Sequence, residues 1–258
     1  ANPAAAFPSD RRVLWTRCRC WVVCKDYSRE VGIQNMRDFR AEPGGPAVWR
    51  FVLPLGRGYA MPFRIELSLH PERDIVTMAF RRDSSMDGED YPMLDPGEPV
   101  ALIVRPGIED RSFHSKTKAF MGAESSFPAA IRPRADGFSF QPGDIELKLD
   151  APSSRFVQEA EWQYMVGHPI DGERGLDDSS DLFSPGYFEA ELKAGESMEL
   201  TGQARFGKDS GSAEQQTIQL DTDMAGAHNG AAGAVARAAA RASSDFIVRR
   251  NNGYTVIA

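Results

Sequence analysis

Up to Phe206, apolar and polar residues alternate in short runs separated by turn residues, the period-2 signature of half-buried strands. Val13 to Cys24 is a long run of this kind. Cys18, Cys20, Val22 and Cys24 fall on one face, with Arg17, Arg19 and Trp21 on the other. Val48 to Leu55 follows a breaker at Glu42 to Pro46, and core packing is expected for Trp49. Phe63 to Leu69 and Ile75 to Phe80 read as a hairpin about His70 to Asp74, with Phe63, Ile65, Leu67 and Leu69 sharing one face. Val100 to Val104 follows a turn at Asp95, Pro96 and Gly97. Gly137 to Phe140, Ile145 to Leu149, Trp162 to Val166, Tyr187 to Leu192 and Met198 to Phe206 complete the predicted strands. Many short strands with turn signals between them predict a mainly β sandwich of antiparallel strands. The alternation also fixes register, because a one-residue slip would turn the apolar set outward.

Beyond Phe206 the pattern changes. Gly207 to Gln216 is small and polar, which predicts a loop or linker. From about Ala231 to Val248 an alanine-rich run favours helix, with Val235, Ala238, Ala242 and Phe246 near helical spacing. Such a helix buries too little to stand alone and is expected to pack on the sandwich or on a further domain. The predicted organisation is a β domain over 1–206 and a linker with helix over 207–258. The opening residues read as the interior of a longer protein, and truncation at both ends is expected.

Composition narrows the function classes. The chain has 258 residues, 41% hydrophobic and 26% charged, with a formal net charge of -7. That is an ordinary globular mix, and the acidic balance argues against a nucleic-acid partner. No apolar run approaches the roughly 20 residues of a membrane span. The three cysteines lie within Cys18 to Cys24, on one strand face and with no second ligand cluster nearby, so buried thiols are expected and a metal site is not. An odd count offers no disulfide framework, which points to a reducing, cytoplasmic setting.

Three stretches carry a family resemblance. Val100 to Ser115, VALIVRPGIEDRSFHS, is an apolar strand followed by Arg-Pro and then Arg-x-x-His. Glu161 to Ser197 holds a tyrosine-bearing strand, then Glu-Arg-Gly-Leu-Asp, Asp-Leu-Phe and Ser-Pro-Gly-Tyr-Phe. Ser243 to Ala258 is the third. Together they resemble the N-terminal domain of bacterial and archaeal glycogen-debranching enzymes, the amylo-α-1,6-glucosidase family. The resemblance covers the chain roughly from Val48 onward. It implies a galactose-mutarotase-like supersandwich followed by a linker helix that leads into an α/α barrel. It also implies that the full protein hydrolyses α-1,6 branches of glycogen-like glucans, that the catalytic carboxylates lie in the barrel, and that no cofactor takes part.

Glycosidases use two carboxylates flanking the scissile bond. The densest acidic site here is Glu173, Asp177, Asp178 and Asp181, beside Arg174. It reads as a catalytic pair, as a polar connecting loop fastened by Arg174 and turns at Gly172 and Gly175, or as a loop facing the barrel. The resemblance favours the last. A calcium loop is disfavoured, because Leu182 and Phe188 stand where that loop needs its glycine and its bidentate glutamate. Arg111 and His114 read first as a structural loop pair and second as sugar or acid–base contacts. Trp162 and Tyr164 share a strand face, where core packing and sugar stacking both remain open. Two rivals stay in view: a stand-alone glucan-binding module using Trp162 and Tyr164, and a mutarotase-like epimerase pairing His114 or His168 with Glu161 or Glu173. No nucleophile elbow, phosphate loop or zinc-protease motif is present.

Overall fold

The computed structural model describes residues 12–42, 44–70, 74–85 and 92–206, together with Val235, Ala236, Ala239, 247–250 and 253–256. Two antiparallel sheets face each other. The smaller contains β1 (Arg12–Cys24), β2 (Tyr27–Glu30), β7 (Val100–Ser112), β11 (Arg155–Gly167) and β12 (Ser179–Leu192), in the order β11-β12-β7-β1-β2. The larger contains β3 (Met36–Ala41), β4 (Ala47–Pro54), β5 (Ala60–His70), β6 (Ile75–Arg82), β8 (Ile131–Arg134), β9 (Gly137–Phe140), β10 (Ile145–Asp150) and β13 (Ser197–Phe206). Its order is β3-β4-β5-β6-β13-β10-β9-β8. Of two short helices, α1 (Ala123–Ala129) lies in the crossing from β7 to β8 of the larger sheet, and α2 (Pro169–Glu173) connects β11 to β12 within the smaller one. The expected antiparallel sandwich is therefore the fold.

Alternation explains the core. Cys20, Val22 and Cys24 of β1 point inward with Leu102 and Val104 of β7, against Leu53, Phe63, Phe80, Leu149 and Leu200 of the larger sheet. Each such large apolar side chain contributes about 1.5–3 kcal/mol when fully buried. Gly202 on β13 leaves room for the Trp15 ring, which lies 2.7 Å from where a Cβ would stand. The hairpin of β5 and β6 pairs Phe63 with Arg82 at its base and His70 with Ile75 at its tip. The base is buried, but Leu69 near the tip is exposed, so the expected inward face ends before it.

At one end of the sandwich, Arg82 is 1% exposed yet charged. Its guanidinium donates to the carbonyls of Asp95 at 2.8 Å, Leu192 at 3.3 Å and Glu98. Burial lowers its pKa, with nearby acidic groups opposing that shift. A buried charge survives here because fixed carbonyl dipoles replace its hydration.

Several strands run further than the apolar pattern predicts. β7 continues from Val104 through Pro106 and Gly107 to Ser112, and β12 begins at Ser179 and carries Pro185 and Gly186 within it. Proline and glycine ordinarily end strands; here they sit at irregularities in the ladders. At Gly186 a Cβ would stand 2.1 Å from the Val157 carbonyl oxygen, so the close strand approach requires glycine.

Val235, Ala236 and Ala239 are helical, but most of the helix predicted over Ala231 to Val248 lies outside the described residues. Its last two positions are not helical. Ile247–Arg250 (β14) pairs with Gly253–Val256 (β15) as a hairpin.

Candidate functional site

The sequence candidates converge on one end of the smaller sheet. Antiparallel pairing places the C-terminal end of β7 beside the start of β1 (Arg12 with Ser112), and the end of β11 beside the start of β12 (Gly167 with Ser179). The connections 113–122 and 168–178 both leave from that end.

Asp181 organises it. This residue is on β12, 7% exposed, and is not part of a polar loop as the sequence suggested. Its Oδ2 accepts from the Ala119 backbone N–H at 2.8 Å, and its Oδ1 from the Met165 N–H at 2.9 Å. Its own N–H donates to the Thr117 carbonyl at 2.8 Å. One carboxylate thereby ties together three segments. Met165 adopts φ 53°, a left-handed backbone that costs a non-glycine residue stability. The N–H bond to Asp181 helps hold it there.

A second buried carboxylate lies beneath. Glu109, 1% exposed, accepts from Thr16 at 2.9 Å, Thr117 at 2.8 Å and Arg111 Nε at 2.8 Å. Arg111 also donates to the carbonyls of Ser112, Phe113 and Ser115, the closest at 2.9 Å. This side chain is thus a brace for the loop carrying exposed His114. Glu109 carried no alternating or clustered signal, only its position two residues before Arg111.

The acidic connection is fastened from across the sheet. Lys116 Nζ bonds Asp171, and Lys118 Nζ meets Asp177 at 3.0 Å and the Ser179 carbonyl at 2.8 Å. The fastening cations are these lysines and not Arg174, whose N–H closes the turn onto Asp171 at 3.1 Å while its side chain is exposed. The hydrogen bond from Lys116 holds the Asp171 carboxyl below the usual 3.8, and the bond from Lys118 does the same for Asp177. Glu173 ends α2 and faces solvent. His168 caps the start of α2, its Nε2 2.7 Å from Ser180 Oγ, and Pro169 occupies the first helical position.

Trp162 is half-buried against the core. Its ring stacks between Phe127 at 5.8 Å and Tyr164 at 6.2 Å, with Phe183 at 5.1 Å. These contacts place it at the edge of the core. Tyr164 is exposed and donates to Glu124 at 2.7 Å; that bond raises its pKa above 10.0.

A shallow groove on the outer face of the same sheet was not picked out from sequence. Arg105, almost fully buried, donates to Glu159 at 2.7 Å and meets Glu161 at 3.2 Å, while Arg19 meets Glu161 at 2.5 Å. The outward alternation of Arg17, Arg19 and Trp21 was the available signal. Glu161 is committed there, and among the described residues no hydrogen bond joins it or Glu173 to His114 or His168.

Two of the three free cysteines answer to the buried reading, and Cys18 is partly buried. Cys20 and Cys24 are buried, and desolvation pushes the Cys18 thiol up to about 12. Among the described residues no cluster of ligands could hold a metal ion, and no helix is long and apolar enough to cross a membrane.

A profile of the glycogen debranching enzyme N terminus matches residues 2–199. The chain belongs to that family. The match takes in the first forty-odd residues, where the sequence resemblance was loose, and leaves out the third resembling stretch at Ser243 to Ala258. Among solved structures, a bacterial glucoamylase complexed with acarbose aligns with TM-score 0.43 and 8% identity, over 80% of this chain and 29% of its own. No curated protein sequence matches at a significant level.

Proposed function

We propose that this chain is the non-catalytic N-terminal domain of a glycogen-debranching amylo-α-1,6-glucosidase. It packs on, and borders the active site of, an α/α barrel in the same polypeptide, in the cytoplasm. The barrel supplies the carboxylates that hydrolyse α-1,6 branches of a glycogen-like glucan, and 207–258 forms the linker and helix leading to it. Membership of the debranching-enzyme N-terminal family carries this reading.

The chemistry of the acidic end agrees with it. A glycosidase general acid must keep its proton near neutral pH, so its pKa has to be raised. Asp171 and Asp177 are instead held low by lysine, and both oxygens of Asp181 are engaged by backbone N–H groups. Asp171 and Asp177 are thus held ionised, and all three carboxylates hold chain segments in place.

The test compares the 258-residue chain with the polypeptide that continues into the barrel, assayed for glucose release from a branched α-glucan. Release is expected only from the longer polypeptide. Glucose release by the chain alone that disappears in Asp177→Asn would place catalysis within this domain and overturn the assignment.

A further inference from the structure

The groove on the outer face of the smaller sheet lies where its strands lose register together. The β1–β7 ladder is irregular between Trp15 and Arg17, and the β7–β12 ladder between Phe183 and Phe188. The β11–β12 ladder slips between Gln158 and Glu161, and again between Gln163 and Val166. Such irregularities bend strands and re-aim side chains, and they gather near functional sites. The groove measures about 230 Å³, open to solvent, and Arg17, Arg19, Arg105, Glu161, Gln163 and Ser184 line it. Gly107, paired with Arg17, forms part of its floor. A Cβ there would stand 3.5 Å from Arg17 Cβ and from Leu182 Cδ1, an ordinary contact. Packing therefore does not require glycine at this position, and the bare backbone leaves the floor deeper by a methyl group.

Charge selects the ligand. Three guanidinium groups meet here in a chain of formal net charge -7. Arg105, 8% exposed, is neutralised by Glu159 at 2.7 Å and by Glu161 Oε2 at 3.2 Å. Arg19 takes the other Glu161 oxygen at 2.5 Å. With both oxygens bonded to guanidinium groups, Glu161 opposes an incoming anion only weakly. Arg17 is different. It is exposed, and among the described residues its side chain meets no carboxylate and donates only to Gln163 Oε1, at 3.5 Å. Three cations against two carboxylates leave one positive charge, and it sits on Arg17. The Gln163 amide N–H has no acceptor among the described residues and is available beside it.

We infer that this groove binds a phosphate group, free or esterified, held by Arg17 and the Gln163 amide with Arg19 at its edge. The planar arginine fork matches phosphate oxygens. A tetrahedral group also accepts from donors on β1 and β11 at once, which a flat carboxylate with two oxygens does less well. The inference is independent of the reading under Proposed function.

Calorimetric titration of the 258-residue chain at pH 8 and constant ionic strength tests it, with inorganic phosphate, glucose 1-phosphate and acetate as probes. Both phosphates should bind saturably and acetate far more weakly. Tighter binding of glucose 1-phosphate would identify an ester as the ligand, and equal binding free phosphate. Arg17→Gln should weaken phosphate binding by about tenfold or more, the effect of losing a charge-assisted hydrogen bond. Arg155→Gln removes the same charge from β11 outside the groove, where Arg155 bonds Glu189 at 2.6 Å, and should change binding by less than about twofold because salt screens it. Gly107→Ala should weaken binding while the melting temperature without phosphate stays that of the parent. No saturable phosphate binding, acetate binding as tight as phosphate, or equal losses in Arg17→Gln and Arg155→Gln would each overturn the site.

Discussion

Replacing Asp181 by alanine removes the one side chain that joins β12 to both the 113–122 connection and the end of β11. The carboxylate accepts two backbone hydrogen bonds, from Ala119 and Met165. Hydrogen bonds to a charged group contribute about 1.5–3 kcal/mol each, and a buried donor left without a partner adds to the loss. Ala119 is 2% exposed, so its N–H is stranded; Met165 is at the surface, where water takes over part of the lost bond. The net expectation is a loss of about 3 kcal/mol, near the larger end of the Asp181 contribution from a single bond plus its stranded donor. With a urea m-value of about 1–3 kcal/mol/M, the unfolding midpoint falls by roughly 1 M or more. Asp181→Asn fares little better, because one amide nitrogen then faces a backbone N–H. Asp178→Ala is the control: exposed and without a side-chain bond of this kind, it should stay within about 0.5 kcal/mol of the parent. Urea unfolding followed by tryptophan fluorescence measures all three. An Asp181→Ala midpoint equal to that of Asp178→Ala would show that the carboxylate is not the clamp, and the rigid presentation of Met165 would lose its cause.

The thiols should resist alkylation. With a pKa of about 12, partly buried Cys18 is thiolate in only about one molecule in ten thousand at pH 8; iodoacetamide should label it far more slowly in the folded chain than after denaturation, and equally rapid labelling of the folded chain would contradict the raised pKa. The lysine-held carboxylates lie below 3.8 when folded, so their contribution is complete above that pH and is lost as pH falls through the folded value. Carboxyl carbon NMR shifts of Asp171 and Asp177 should therefore titrate with midpoints below 3.8, and a midpoint at or above it would dissolve the lysine anchors. Gly186→Ala would push a Cβ to 2.1 Å from the Val157 carbonyl oxygen and should cost more than about 2 kcal/mol, whereas Gly32→Ala, with nothing within 4 Å, should cost far less in the same urea assay.

Period-2 alternation was enough to find β1, β4, β5, β6, β10 and β13, because one face of each is more buried than the other, and β9, buried on both faces, was read from its apolar residues between turns. It failed where burial is uniform or absent. β2 is exposed throughout, and the first half of β12, Ser180 to Gly186, is buried without alternation, so only its alternating half from Tyr187 to Leu192 was found. Local sequence cannot tell a proline–glycine pair that ends a strand from one that lets two strands come close; the Val157 carbonyl that decides it at Gly186 is distant in the chain. The same limit applies at the candidate site. Asp177, Asp178 and Asp181 look alike along the sequence, yet only Asp181 meets the N–H groups of Ala119 and Met165. The anchors of the acidic connection, Lys116 and Lys118, stand more than fifty residues from the aspartates they bind.

The two ends of the sandwich are closed by different means, and the contrast bears on function. Near Arg82, β12 and β13 are joined by the four residues Lys193 to Glu196, with Gly195 N–H donating to the Arg82 carbonyl at 2.8 Å. A connection that short suffices to reverse a strand. At the opposite end, 113–122 and 168–178 are long, each carries helical turns, and together they use two buried carboxylates, two lysine anchors and one left-handed non-glycine residue. Reversing the strands requires none of this. A fold that places strained and charged groups so as to hold exposed Phe120, Met121 and Met165 still is stabilising a surface, and a surface held still gains from it only when something rigid sits against it. A mobile glucan chain would be served by open aromatic faces, whereas Trp162 packs against Phe127, Tyr164 and Phe183. The arrangement at this end favours a folded domain as the partner over a free polysaccharide.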